Sequence, residues 1–344
     1  MVQPPASTAA IARDPAWLPH RYDPGHDAIH FRHTPREVHR SATFLTDDYL
    51  PAAGPPLVLR RADVIAAGAP RAPIHFIFHS AFCCSTMLAR AFDIEGVAMG
   101  LKEPTILNDL VGWADRGGTP AEVAGVLDDA LALLARSFEP GEAMIVKPSN
   151  VVNAMAPAML AMRPGARALL LHAPLRDYLN SIARKGMVGR LWVRDLLVKL
   201  LRDRLIDLGF SPEDHLHHTD LQTAAVGWLA QQALFARLIA TFGPARVRSL
   251  SSHRVTAQPR EVTAALVGLY QLQLDAAAID SIVAGPAFTR HSKHGTAFGG
   301  AERAAEQRDA ASVHGDEIEK VAVWAEAVAA SAGVPITLDA PLLG

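Results

Sequence analysis

From residue 73 onward the chain alternates short apolar runs with longer stretches in which leucine and alanine recur at helical spacing. That alternation predicts βα units around a mostly parallel sheet buried on both faces. Strands are expected at residues 74–78, 143–146, 168–171 and 247–250. Helices are expected at 86–92, 121–137, 151–162, 175–185, 191–208, 221–242, 260–272, 276–283 and 316–332. Residues 1–72 behave differently: Pro, His and Arg are frequent, aromatic residues are scattered, and no helical period is sustained. They read as a loop-rich leading segment that packs on a core domain of residues 73–344. Within it, the alternating Ala28-Ile29-His30-Phe31 predicts an edge strand, and residues 51–56 predict a turn.

Composition narrows the function classes. Half of the 344 residues are hydrophobic, enough for a large core, and 33 basic against 35 acidic residues give a net charge of −2. Such a chain generates no overall field that draws nucleic acid or an anionic membrane, so an anion must be held by a local arrangement. The two cysteines, Cys83 and Cys84, are neighbours, and a disulfide between neighbours is strained, which excludes a disulfide scaffold. No basic segment followed by an apolar core opens the sequence, and no run of 18 uncharged apolar residues occurs. The expected location is the cytoplasm.

The most informative stretch is IHFIFHSAFCCSTMLARAF, where the first buried strand ends at Phe78, small and polar residues crowd His79 to Thr86, and a helix follows at once. A helix amino terminus leaves N–H groups unpaired and carries partial positive charge, so a phosphate or sulfate placed there meets donors and dipole together. Ser85 and Thr86 either cap the helix or offer hydroxyls to the anion. The glycines and lysine of an ATP- or GTP-binding loop are absent. With no further cysteine and no C-x-x-C, a zinc or redox site is not supported either.

Taken with the segments downstream, this turn resembles the 5′-phosphosulfate-binding loop of the sulfotransferase family, and the resemblance runs as an order of elements from Ile74 to about Lys293. LKEP at Leu101 to Pro104 resembles the family's Glu-Pro after its second strand. LLLHAPLRDYLNSIARKG, from Leu169 to Gly186, resembles the strand, turn and helix that carry the Arg and Ser for the nucleotide 3′-phosphate, with Ser181 matching the serine. VRSLSSHRVTAQPREVTAALVGLYQL resembles the closing strand, link, Pro and helix. The resemblance implies a three-layer α/β fold of the P-loop NTPase type. It implies transfer of a sulfuryl group from 3′-phosphoadenosine 5′-phosphosulfate to a hydroxyl or amine of a small-molecule acceptor, without a metal. Ser80, Cys84, Ser85 and Thr86 then belong to the phosphosulfate site, and Ser181 and Arg184 to the 3′-phosphate site. Lys293, in the basic loop FTRHSKHG, belongs where the family closes over the nucleotide. Glu103, His79 and His172 are the candidate bases. Two departures stand out: Phe82 or Cys83 occupies the place of the usual basic residue in the loop, and His172 that of an Arg. Arg176, Arg184 and Lys147 are the candidates to replace the missing charge. A chain that has lost transfer would instead be a non-catalytic nucleotide- or partner-binding protein of the same fold. His215, His217, His218 and Asp220, close together after Pro212, lack regular ligand spacing and read as a solvated loop.

Overall fold

In the computed structural model, which describes residues 7–52, 54–289 and 300–344, the chain opens with α1 (Thr8–Arg13), β1 (Trp17–Asp23), β2 (Ala28–His33), α2 (Arg36–Ser41), β3 (Leu57–Arg60) and α3 (Arg61–Ala66). There follow β4 (Ile74–His79), α4 (Ser85–Ala91), β5 (Ala98–Lys102), α5 (Thr105–Asp115), α6 (Pro120–Leu134), β6 (Ala143–Lys147) and a 3₁₀ turn, Asn150–Met155, that runs into α7 (Ala156–Met162). Then come β7 (Ala168–His172), α8 (Leu175–Arg184), α9 (Gly186–Arg202), α10 (Pro212–His217), α11 (Asp220–Phe242) and β8 (Val247–Ser251). The chain closes with α12 (Ser252–Ala257), α13 (Pro259–Tyr270), α14 (Ala276–Ala284), α15 (Pro286–Thr289) and α16 (Gly300–Ala332).

The protein is α/β, with a five-stranded parallel sheet in the order β5-β6-β4-β7-β8 flanked by helices. Every position of β4, β5 and β6 is buried, so none of these strands has the polar face of a half-exposed one. β4 is central, and successive strands are laid down first on one side of it and then on the other. In open α/β sheets, the carboxyl end of the strand at such a reversal is where ligands bind.

Cα packing divides the chain into two units, each discontinuous in sequence. The first comprises Met1–Ile77, Leu88–Arg167 and Tyr270–Leu274. Its leading residues are held by Arg136, whose buried guanidinium donates to the carbonyls of Ile11 (2.8 Å), Ala12 (3.2 Å), Asp14 (3.0 Å), Trp17 (2.6 Å) and Leu133 (2.6 Å). Burial lowers the Arg136 pKa to about 10, which leaves the group charged at neutral pH. Residues 7–66 hold more regular structure than their lack of helical period predicts: β1, β2 and β3 form an antiparallel sheet in that order. β2 is therefore its central strand rather than an edge, and Ile29 and Phe31 are fully buried. β5 and α5 were not among the elements expected from the hydrophobic pattern, and only the resemblance of LKEP implied a strand there. β5 carries Gly100 at its centre, where a Cβ would stand 1.9 Å from the Ala89 carbonyl oxygen, so no larger residue fits that approach.

The second unit comprises Phe78–Met87, Ala168–Leu269 and Asp275–Gly344. β7 and β8 pair in parallel from Ala168↔Val247 to His172↔Ser251. The outer edge of β8 is covered by the carboxyl-terminal segment: Ser249 N–H donates to the Ala340 carbonyl (2.9 Å) and Leu342 N–H to the Ser249 carbonyl (2.8 Å). α11 enters through a capping box made by Thr219 and Gln222 and buries most of its length. Among the described residues, no helix is long and apolar enough to cross a membrane.

Candidate functional site

In the second unit, the chain leaves β4 in a turn that hydrogen bonds fix residue by residue. Ser80 N–H donates to the Leu171 carbonyl (3.0 Å), the Ser80 hydroxyl accepts from Ala173 N–H (3.1 Å), and Ala81 N–H donates to His79 Nδ1 (3.0 Å). The next residues reverse the backbone without glycine: Ala81, Phe82 and Cys84 all take left-handed conformations, with φ of 71°, 50° and 64°. Each costs on the order of 1 kcal/mol for a residue with a Cβ. Residues held this way persist only where the surroundings over-determine them. Here the surroundings are the Ser80 bonds below and, above, the Phe82 ring, which packs 5.4 Å from Trp192 and 6.0 Å from Tyr178. Cys83 is buried and Cys84 half-buried, and neither forms a disulfide. Ser85 and Thr86 then open α4, both buried. Neither hydroxyl bonds another described residue.

His172 ends β7 beside this turn, the residue between Leu171 and Ala173 that together anchor Ser80. Burial lowers its pKa to about 4, so the ring is neutral at physiological pH, and its Nδ1 is buried without a hydrogen-bond partner. It therefore brings no positive charge in place of the expected Arg. The Tyr178 hydroxyl on α8 is likewise buried and unpartnered, and burial raises its pKa. Further along α8, the Ser181 hydroxyl donates to the Asp177 carbonyl (2.8 Å), a bond back along its own helix, and Arg184 is exposed in the last turn. Arg176 is taken by Glu319 (2.7 and 2.8 Å) and Glu326 (2.6 Å). Lys185 does reach the turn: its Nζ lies 5.6 Å from the centroid of the Phe82 ring. Its place beside Arg184 on a helix leaves phosphate binding and a surface ion pair with Asp177 equally open in the sequence. Only the placement of Phe82 reveals the contact.

Glu103 and Lys147 lie in the first unit, at the ends of β5 and β6. Glu103 N–H donates to the Lys147 carbonyl (2.7 Å), and the buried Lys147 ammonium donates to the Glu103 carboxylate. Lys147 also sits 5.0 Å over the Phe44 ring. Its charge is thus engaged by a carboxylate and an aromatic face, and Glu103, itself left-handed at φ 54°, is engaged in return. Lys102, fully buried one residue earlier, donates to the carbonyls of His39 (2.6 Å) and Arg40 (3.1 Å), and burial lowers its pKa to about 7.

The remaining candidates are placed as follows. His215 and His217 lie in α10 rather than in a loop, and His218 packs its ring 4.7 Å from Phe210 and 5.3 Å from Trp324. Asp220 opens α11 and holds Arg194 (2.6 Å). Among the described residues, no group of three or more His, Cys, Asp or Glu is placed to hold a metal. Arg290 and Lys293 lie outside the described residues.

No family model matches the chain, and no curated protein matches it. Among solved structures it is similar to the sulfotransferase domain from the curacin biosynthetic pathway, at 14% identity over 71% of this chain and 98% of that one, with a TM-score of 0.41. It is similar to the sulfotransferase domain from the Synechococcus PCC 7002 olefin synthase, at 13% identity over 63% and 80%, with a TM-score of 0.40. A sulfotransferase from Mycobacterium avium gives 11% identity over 71% and 77%, with a TM-score of 0.42. Likenesses this slight transfer no residue role to the chain.

Proposed function

We propose that this protein is a sulfotransferase-like enzyme that moves a sulfuryl group from 3′-phosphoadenosine 5′-phosphosulfate to a hydroxyl or amine of a small-molecule acceptor. The observation that carries the reading is the turn after β4. A central buried strand, a braced reversal of three left-handed residues and, on the buried Ser85 and Thr86, two hydroxyls with no bond to another described residue make a site for oxyanion groups at the carboxyl end of the sheet. Ser85 and Thr86, with the turn's backbone at Ser80 and Cys84, hold the phosphosulfate. Ser181 and Arg184 hold the 3′-phosphate, which requires Ser181 to release the Asp177 carbonyl. Lys185 supplies the charge that the turn itself lacks, as a point cation beside Phe82. Of the candidate bases, His79 commits Nδ1 to Ala81 and Glu103 is bound by Lys147, whereas His172 keeps an unpartnered ring nitrogen. His172 is thus the base best placed to accept a proton. Catalysis rests on positioning and charge stabilisation rather than on a covalent intermediate.

Thermal-shift titration with 3′-phosphoadenosine 5′-phosphate, ATP and GTP tests the reading, since a ligand that binds only the folded state raises its melting temperature. Stabilisation by the bisphosphate alone, weakened about tenfold or more in Ser85→Ala and in Lys185→Met, is expected. An equal response to ATP, or none to any of the three, overturns it. The neutral His172 and the turn without a basic residue favour one competing reading, a binding protein that no longer transfers. Bisphosphate binding without sulfuryl transfer to any of a panel of phenols and amines decides for it.

A further inference from the structure

The first unit holds a cavity of ≈ 610 Å³ that plays no part in the reading above. One wall is the β1–β2 ribbon. Pro19 pairs with Phe31 and Arg21 with His30, so His20 is an extra residue with no partner across the ribbon. Such a bulge breaks the alternation of a strand, and here it lets the consecutive His20 and Arg21 both line the cavity. On β2 the alternation is regular: Ile29 and Phe31 fill the core, while His30 and Arg32 line the cavity. Four nitrogen-bearing side chains, two of them guanidiniums, therefore converge on one space.

Their existing bonds leave donors over. Asp47 is the sole carboxylate in the wall; it takes His20 Nε2 (2.6 Å) and Arg21 Nη1 (2.9 Å), and stands 3.6 Å from Arg32 Nη1, too far for a hydrogen bond. Asp109 on α5, outside the wall, takes Arg21 Nε (2.8 Å). Arg32 donates through Nη2 to the Pro51 carbonyl. Arg21 Nη2 and Arg32 Nε and Nη1 have no hydrogen-bond partner among the described residues, although the Arg32 side chain is only 15% exposed. Burial lowers the His20 pKa despite Asp47, so that ring is neutral near pH 7. Leu50 and Pro56 provide apolar surface on the segment opposite the ribbon.

We propose that this cavity binds a small organic oxyanion, a carboxylate or phosphate ester carried on an apolar body. The anionic head meets Arg21 and Arg32, whose planar forks match carboxylate and phosphate oxygens, and the body lies against Leu50 and Pro56. The volume suits a molecule of metabolite size. Asp47, with its side chain 55% exposed, competes with the ligand for the same donors. Removing its charge therefore strengthens binding of an anion, where it would weaken binding of a cation.

Calorimetric titration of the full chain with phenyl phosphate, benzoate and the neutral benzamide tests this directly. Either anion is expected to bind at least about tenfold tighter than benzamide, tighter still in Asp47→Asn, and about tenfold weaker in Arg21→Gln/Arg32→Gln. Preference for phenyl phosphate identifies a phosphate ester as the natural class, and preference for benzoate a carboxylate. In case the double variant fails to fold, mass spectrometry of the wild-type protein treated with phenylglyoxal reads the same site. The bound anion should shield Arg21 and Arg32 and leave the exposed Arg116 reactive. Anion binding no tighter than benzamide, binding unchanged in the folded double variant, or no shielding of the two arginines overturns the proposal. None of these readouts involves the sulfonucleotide, so the two proposals stand or fall separately.

Discussion

Two strand ends in this protein solve the same problem in opposite ways. At the carboxyl ends of β5 and β6, in the first unit, Glu103 and Lys147 are bound to each other, and Lys102 is spent on two backbone carbonyls. At the carboxyl ends of β4 and β7, in the second unit, the groups are neutral: hydroxyls, a histidine that burial keeps uncharged, and backbone forced into left-handed shapes. The first end is electrostatically closed, with each charge answered from within. The second is open, holding hydroxyls without internal partners and an orphaned imidazole nitrogen. Groups already bound to one another have little left to offer a ligand. That contrast separates the two ends more sharply than residue type does, because charge by itself favours the closed end.

The largest expected effect breaks the closed end. Lys147→Ala leaves the Glu103 carboxylate four-fifths buried without its partner and should destabilise the protein by about 3 kcal/mol or more, measured by urea denaturation. The double variant Lys147→Met/Glu103→Met should recover most of that loss, because a well-packed apolar pair often replaces a buried ion pair at little cost. A double variant as unstable as the single one would mean that the pair does more than neutralise itself. Next in size is a pH effect. Lys102, His39 and His75 in the first unit, with pKa values lowered to about 7, 3 and 4, and His172 in the second, lowered to about 4, all take up a proton more readily when unfolded. Stability should fall as pH drops from about 10 to 7 through Lys102. It should fall again between about 6.5 and 4 through the histidines, by at most about 1.4 kcal/mol per pH unit for each group. Lys102→Met should flatten the upper limb while leaving the lower one. An upper limb unchanged in that variant would remove Lys102 as its source.

Much of this was legible in the sequence, and the exceptions share a cause. The buried runs at β4, β6 and β7 announce themselves because a parallel strand covered on both faces has no polar side. β5 is equally buried but carries Gly100 and ends in Lys102, and its composition conceals a constraint that only the approach of Ala89 explains. β1 escaped notice because a bulge at His20 breaks its alternation, whereas the regular alternation of β2 announced a strand but not its central place in the ribbon. Among site residues, the turn and its serines were legible because helix entry and small polar residues coincide there. The engagement of Glu103 by Lys147 and of Arg176 by Glu319 and Glu326 was not, since these pairs join positions 44, 143 and 150 residues apart. Long-range pairing decides which charges are available, and spacing along the chain carries no information about it.

The smallest expected effect separates strain from charge. Ala81 and Glu103 have the same left-handed backbone, φ 71° and 54°, at the open and the closed end respectively. Glycine removes the Cβ penalty at either position but loosens the unfolded chain, so relief of strain alone is worth about 0.5 kcal/mol. Ala81→Gly should therefore stabilise the protein by about that amount, a rise of about 1 °C in melting temperature for a chain of this length, since nothing but a methyl group is lost. Glu103→Gly relieves the same strain yet strands the Lys147 ammonium, and should destabilise by a few kcal/mol. If the turn's shape serves a bound oxyanion, the more stable Ala81→Gly protein should bind 3′-phosphoadenosine 5′-phosphate more weakly, because a looser turn must be ordered again by the ligand. Greater stability with tighter binding would show that the left-handed turn is a burden on the fold rather than a feature of the site.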